Sequence, residues 1–494
     1  MEMQSKLRPV MFVGTSSDVG KSVVTAGFCR IFKQDGYAPA PFKAQNMSLN
    51  SYATPEGLEI GRAQAVQAEA AGIPCHTDMN PVLLKPTTDK TSQVILNGKP
   101  AGNQSAKEYF KQGDRAALFE EVKLAYGRLA GRYNPVVLEG AGSISELNLK
   151  HRDITNMRMA IAAGAVTYLV TDIDRGGIFA SLYGTMQLLE PEERECIKGI
   201  IINKFRGDPD LFLDGRKMIE ELCGVPVIGV LPYYRDIFIE EEDAVSLQHK
   251  NTSAVTGKVN IAVVLLGRMS NFTDFDRLDQ DERVNLYYTH AVDGLLDADI
   301  VILPGSKNTI EDLAELKNCG LAAAITAAHK NGKTVIGICG GYQMMGQLIK
   351  DPLQIESAAG EISGLGILPV QTTLTATKTT RQITFSYLEE KALCKGYEIH
   401  MGETTVSGAE QPLTVLADGT AEGYILSPLC WGSYLHGILD NDVVVNHLLA
   451  PYTNEGSRAG DYQSFRDQQY DKLAGLFREH LDLTTVYQHL KINA

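Results

Sequence analysis

Two short stretches of this chain combine residue types whose spacing could do covalent chemistry. The first is Gly337-Ile338-Cys339-Gly340-Gly341, closing the apolar run Thr334 to Ile338. G-x-C-x-G after a strand is the cysteine form of a nucleophile elbow. A sharp strand-to-helix turn lifts the nucleophile above the sheet, and only small neighbours fit so crowded a turn. A helix running on from Tyr342 would aim its N-terminus at Cys339 and favour the thiolate. The nucleophile needs a base. Among ten histidines His436 has the matching context, Trp431-Gly432-Ser433-Tyr434-Leu435-His436-Gly437, at the end of a strand pattern. His329 falls on a helical pattern, and His400 and His447 have no comparable surroundings.

The second stretch, Gly14 to Ser22, reads GTSSDVGKS between an apolar strand and a helix pattern. Such a loop cradles phosphate. Gly14, Thr15 and Gly20 let backbone amides approach the anion, Lys21 reaches its oxygens, and Ser22 offers a hydroxyl to Mg²⁺. Five residues separate Gly14 from Gly20, one more than in the ordinary pattern, and Asp18 lies among them. Further on, Val136 to Gly142 reads VVLEGAG, with Glu139 at the carboxyl end of a buried strand. Ligands gather at such strand ends in open α/β sheets, so Glu139 could hold Mg²⁺ together with Ser22.

These residues need a scaffold, and the apolar pattern supplies one. Pro9 to Val13, Val136 to Leu138, Val166 to Thr171, Gly199 to Ile202 and Val227 to Leu231 are near-continuous apolar runs, as in parallel strands covered on both faces. Helical patterns such as Glu56 to Ala71 and Arg115 to Leu129 separate them. That alternation predicts an α/β fold with a doubly wound sheet. A second α/β series begins with Asn260 to Leu266, Ile300 to Leu303 and Thr334 to Ile338. Later runs, at Thr373 to Thr375, Gly396 to His400, Gly423 to Leu426 and Trp431 to Leu435, read as antiparallel. The expected division is 1–245, a polar linker 246–258, a second domain 259–450, and a helical extension 451–494.

Composition narrows the classes. With 46 basic and 60 acidic residues the net charge is −14, so a broad nucleic-acid or anionic-membrane surface is not expected. Eight scattered cysteines form no CxxC pair, which speaks against a zinc ribbon or disulfide framework. The longest apolar stretch, Met159 to Val170, is shorter than the ~18 residues of a spanning helix. A soluble, cytoplasmic protein is expected.

The lengthened phosphate loop resembles that of dethiobiotin synthetase-type P-loop ATPases, which activate carboxylates. That resemblance implies that Lys43, in FKAQNMSLNS, assists the phosphates, and that Asn203 with Lys204 lies near the nucleotide base. The Cys339 and His436 pair resembles a class I glutamine amidotransferase, in which cysteine attacks the glutamine amide, a thioester forms and ammonia leaves. An oxyanion hole from the Gly340 amide and the loop at Gly305 and Ser306 is implied. The usual carboxylate two residues after the histidine is replaced by Ile438, with Asp440 the next acid downstream.

Over nearly its whole length the chain resembles the cobyric acid synthase family. The match rests on GTSSDVGKS, FKAQNMSLNS, VVLEGAGSISELNLKHRDITNM, TDIDRGGIF, GICGGYQMMG and SYLHG. This implies a glutamine-hydrolysing carbon–nitrogen ligase of cobalamin biosynthesis. It would use ATP, Mg²⁺ and glutamine, with no bound redox cofactor, to amidate the b, d, e and g carboxylates of adenosylcobyrinic acid a,c-diamide. Asn46, Asn156, Asp172, Asp174 and Arg175 are then expected on the corrinoid side of the site, at the carboxyl edge of the first sheet. Two alternatives stay open: the sister enzyme that amidates carboxylates a and c, and a non-catalytic P-loop switch with a degenerate amidotransferase domain. The oligomeric state is not indicated. The C-terminal extension is expected to pack against the amidotransferase domain.

Overall fold

A computed structural model describes residues 6–87, 91–105, 115–240, 242, 252–390, 392–453 and 460–492. Residues 246–251 of the anticipated linker, together with 454–459 of the extension, lie outside the described residues.

The first sheet is parallel throughout. Its strands, in spatial order, are Val227–Pro232, Ile197–Phe205, Val166–Asp172, Val10–Gly14, Val136–Glu139 and Ala40–Phe42. Strand Val10–Gly14 is buried along its whole length, and its side chains alternate between two cores. Val10 and Phe12 join one, Met11 and Val13 the other. This two-sided burial is why the run is apolar at every position instead of at every second one.

One of those cores is completed from far away in sequence. Helix Lys21–Gln34 buries Val24, Phe28 and Ile31 over the sheet. Against it lie helices Tyr462–His480 and Leu483–Leu490, which contribute Tyr470, Leu473, Phe477, Val486 and Leu490. Arg30 pairs with Asp467 (3.2 Å) and Asp471 (2.7 Å) across that contact. The extension therefore packs chiefly on the first domain, contrary to expectation, because it covers a sheet face that would otherwise be wet. Arg277 over the Tyr462 ring (5.5 Å) is a contact with the second domain.

Between Ala40–Phe42 and Val136–Glu139 the chain makes a side structure. It holds a four-stranded sheet starting at Gln45–Met47, a short pair Ser51–Ala53 with Glu59–Gly61, and helix Arg62–Ala71. The predicted helix over 56–71 begins six residues late, since Glu59–Gly61 pairs as a strand.

The second domain has a six-stranded sheet ordered Val284–Thr289, Val259–Val264, Ile300–Leu303, Thr334–Ile338, Cys430–Ser433 and Tyr424–Ser427. Only the last strand is antiparallel. The run at 431–435 is thus parallel to its inner neighbour, not antiparallel as its context implied. A long hairpin, Val370–Tyr387 with Leu393–Val406, belongs to a separate sheet and reaches the first domain, where the Gln382 amide donates to the Ala53 carbonyl (2.9 Å). Among the described residues no helix is long and apolar enough to cross a membrane.

Candidate active sites

Cys339 ends strand Thr334–Ile338 and begins helix Gly340–Met345, with φ 51° and ψ −109°. That backbone is strained for a residue bearing a Cβ, and it is the geometry a nucleophile elbow demands. Gly340 follows because a side chain there would meet the Ser306 amide nitrogen at 2.8 Å. The neighbouring strand pairs Ser433 with Ile338, and the Cys339 amide donates to the Ser433 carbonyl (2.7 Å). Three residues on, His436 is buried beside Cys339, whose thiol donates to the Ile399 carbonyl (3.7 Å).

The imidazole has a carboxylate partner. His436 Nδ1 lies 2.7 Å from Asp274 Oδ2, and the Gly437 amide donates to Asp274 Oδ1 (3.0 Å). Burial opposes a charge on His436, but Asp274 and then Cys339 outweigh it and raise its pKa to about 10. A cysteine, a histidine and an orienting carboxylate can carry out nucleophilic acyl transfer. Asp440 does not fill the third place. It is half-buried on the turn after His436, where desolvation raises its pKa to about 7.

Gly305 and Ser306 border the same centre. A side chain on Gly305 would come 3.4 Å from His436 Cε1, and Ser306 Oγ is tied to Asp312 Oδ2 at 2.5 Å. A cavity extends from Cys339 and His436 past Lys307 and Glu356 to Lys85 and Lys378. Glu59 and Lys85 come from the first domain and Lys378 from the hairpin of the second. Lys85 Nζ donates to Glu59 Oε1 (2.7 Å), and Lys378 pairs with Glu59 Oε2. Burial would raise the Glu59 pKa, yet the two ammonium groups hold it well below the usual carboxylate range.

The phosphate loop lies at the carboxyl end of the first sheet. Gly20 has φ 94°, and a side chain there would strike Asn203 Nδ2 at 2.2 Å. Lys21 Nζ bridges the Ser16 and Gly142 carbonyls, both at 2.9 Å, and so spans the mouth of the loop. Thr15 Oγ1 donates to Thr171 Oγ1 (3.1 Å), and the Asp18 carbonyl accepts from Lys204 Nζ (2.6 Å). Ser22 Oγ and Lys43 Nζ both donate to Glu139 Oε1, at 2.8 and 2.9 Å, and Gln67 donates to its other oxygen (2.6 Å). A hydroxyl and a carboxylate so close fit a hard cation that completes its shell with water and phosphate oxygens.

Comparison with known proteins reaches both sites. Residues 10–246 match the CobQ/CobB/MinD/ParA nucleotide binding domain, and residues 260–444 match the CobB/CobQ-like glutamine amidotransferase domain. A cobyric acid synthase of Parabacteroides distasonis is 61% identical over 99% of this chain and 100% of its own length. One of Bacteroides fragilis is 60% identical, again over 99% and 100%. One of Syntrophobacter fumaroxidans is 48% identical over 98% and 99%. The chain belongs to the cobyric acid synthase family.

In this family member the residues singled out for the corrinoid are spread along one rim. Asn46 donates to Gln64 Oε1 (3.2 Å) and also contacts Glu242, close to Lys43. Asn156 makes two 2.9 Å hydrogen bonds with the Ala141 backbone, so its side chain braces the loop after Glu139. Asp172 pairs with Lys204 (3.1 Å), Asp174 with Arg206 (2.6 Å), and Arg175 lies 4.0 Å from Asp18. Asn203 Nδ2 donates to the Val19 carbonyl (2.9 Å), within the loop itself. The residue that sequence reasoning missed is Asp274. Its only local signal is the acidic, aromatic stretch Asn271-Phe272-Thr273-Asp274-Phe275-Asp276, which carries no recognisable spacing to His436.

Proposed function

We propose that this chain uses ATP and glutamine to amidate the b, d, e and g carboxylates of adenosylcobyrinic acid a,c-diamide, giving adenosylcobyric acid. The observation that carries the reading is the presence, on one chain, of a phosphate loop backed by Glu139 and a Cys339–His436–Asp274 centre. Full-length kinship with cobyric acid synthases favours it over the sister enzyme acting at carboxylates a and c.

In the second domain the Cys339 thiolate attacks the glutamine amide carbon. Backbone amides around Gly340 and the Gly305–Ser306 loop receive the developing oxyanion. His436, oriented by Asp274, gives its proton to the departing nitrogen. Ammonia leaves, and water then cleaves the thioester to glutamate while His436 takes back a proton. In the first domain a corrinoid carboxylate oxygen attacks the γ-phosphorus of ATP, and ADP departs. Ammonia attacks the resulting acyl phosphate and phosphate is the leaving group. Lys21 and Lys43 balance charge on the transferring phosphoryl group, while Ser22 and Glu139 would hold Mg²⁺, which would neutralise phosphate charge. Neither ammonia nor a free carboxylate forms an amide unaided in water, which is why both centres are needed.

The test is the product mass after incubation with ATP, Mg²⁺, glutamine and adenosylcobyrinic acid a,c-diamide. Stepwise exchange of OH for NH₂ at all four remaining carboxylates is expected. Turnover only of the precursor with free a and c carboxylates would transfer the assignment to the sister reaction. ATP hydrolysis without any amide product would leave the switch reading. Cys339→Ala should lose glutamine-dependent amidation and keep the reaction with free ammonia.

A further inference from the structure

Resting on the reading of Cys339 and His436 as the glutaminase centre, we infer that Asn50-Ser51-Tyr52 of the first domain positions the catalytic histidine of the second. These three consecutive residues reach the loop that carries Asp274 and the ring of Tyr397, the two groups that hold the imidazole. Asn50 Oδ1 accepts from the Phe272 amide (3.2 Å), and the Ser51 amide donates to Asn271 Oδ1 (2.9 Å). That reciprocal pair grips the loop two and three residues before Asp274. Asn271 sits at φ 53°, a conformation non-glycine residues adopt sparingly, so the loop depends on such ties.

The next residue, Tyr52, meets the other holder. Its ring lies edge-on to Tyr397 with centroids 4.5 Å apart. Tyr397 in turn stacks over the His436 ring (5.2 Å, 26°) and exchanges two backbone hydrogen bonds with it, at 3.0 and 2.9 Å. Behind Tyr52 stands the Arg62 guanidinium, 4.7 Å from the ring centroid and locked by Glu240 through bonds of 2.7 and 2.9 Å. The imidazole is thus fixed at its edge by Asp274 and on its face by Tyr397, and one segment of the other domain braces both.

The segment continues from Asn46 and Ser48 at the rim of the first site, both buried. Its seating is therefore sensitive to that site, and glutamine hydrolysis is fast only when it is seated. Small displacements suffice, since a misplacement of about 1 Å can lower a rate by about a hundredfold.

The experiment compares Tyr52→Ala and Tyr52→Phe in the full chain, reading glutamate release, the KM for glutamine, and amidation from free ammonia. Tyr52→Ala should lower glutaminase kcat by about tenfold or more with little change in KM, leaving ammonia-dependent amidation intact. Tyr52→Phe, which keeps the ring, should restore kcat. Wild-type kcat in Tyr52→Ala would overturn the inference, as would a parallel loss of ammonia-dependent amidation or failure of the phenylalanine variant to rescue. Cys339→Ala separates the two levels: glutamate release that persists in it defeats the glutaminase reading itself, whatever Tyr52 does.

Discussion

Asp274 and His436 stand 162 residues apart in the chain and 2.7 Å apart in the fold. The proposed amidotransferase centre therefore has its carboxylate without one two residues after the histidine. The acid arrives on the loop that follows the first strand of the domain, and it anchors both the ring nitrogen and the Gly437 amide.

Asp274→Asn should remove most of the glutaminase rate, by roughly 10²–10⁴-fold, because an amide neither fixes the productive tautomer nor stabilises the imidazolium. Free ammonia should still support amidation. The same variant should flatten a stability profile. With its pKa raised from 6.5 to about 10, His436 stabilises the fold fully below pH 6.5 and loses that contribution as pH rises through about 10. Thermal melts across this window should fall in the wild type and fall less in the variant.

Lys21 titrates in the opposite sense. Burial lowers its pKa from 10.5 to about 8, with Glu139 pulling the other way. The nucleotide-free protein thus sheds this charge as pH passes about 8, and a bound phosphate restores it. ATP binding at about pH 9 should take up a proton that binding at about pH 7 does not. Calorimetry in buffers of different ionisation enthalpy measures this, and uptake that survives in Lys21→Met would assign the proton elsewhere. For stability alone the sign is reversed: the unfolded chain binds the extra proton between about 8 and 10.5, so this group's contribution rises across that window.

Glu59 joins the domains as the acid between Lys85 and Lys378. Burial lowers the Lys378 pKa to about 8 even beside Glu59. Glu59→Gln leaves two buried ammonium groups without their counter-charge and should cost about 3–5 kcal/mol. Chemical denaturation would register the loss, and scattering would show whether the domains separate. Lys378→Met, which removes a charge and keeps the apolar stem, should be milder.

Gly27 faces the C-terminal extension. A methyl group there would fall 2.3 Å from a Phe477 ring carbon. Alanine improves helix propensity by about 1 kcal/mol, but overpacking at this distance costs about 1–3 kcal/mol, so Gly27→Ala should destabilise the first domain. Denaturant midpoints for Gly27→Ala, alone and combined with Phe477→Leu, test whether the clash is the cause. A smaller partner should recover part of the loss.

What could be read from sequence was local. The apolar run Val10 to Val13 means a strand buried on both faces because no other element needs every side chain apolar. The phosphate loop and the elbow are legible for the same reason. Their chemistry depends on backbone shape over a few consecutive residues, and that shape dictates which residues are small. Misreadings came where a partner strand decided the outcome, as at Glu59–Gly61, which pairs with Ser51–Ala53, and at Cys430–Ser433, which lies parallel to Thr334–Ile338.

Tertiary structure alone chose Asp274 from sixty acidic residues, since a carboxylate can reach a histidine from any loop and leaves no periodic trace. It also placed the final helices on the first domain and set Asn50, Ser51 and Tyr52 against the loop before Asp274 and the ring of Tyr397. Contacts between segments hundreds of residues apart depend on which faces remain uncovered after each domain has formed, and that is a property of the assembled surfaces and not of any stretch of chain.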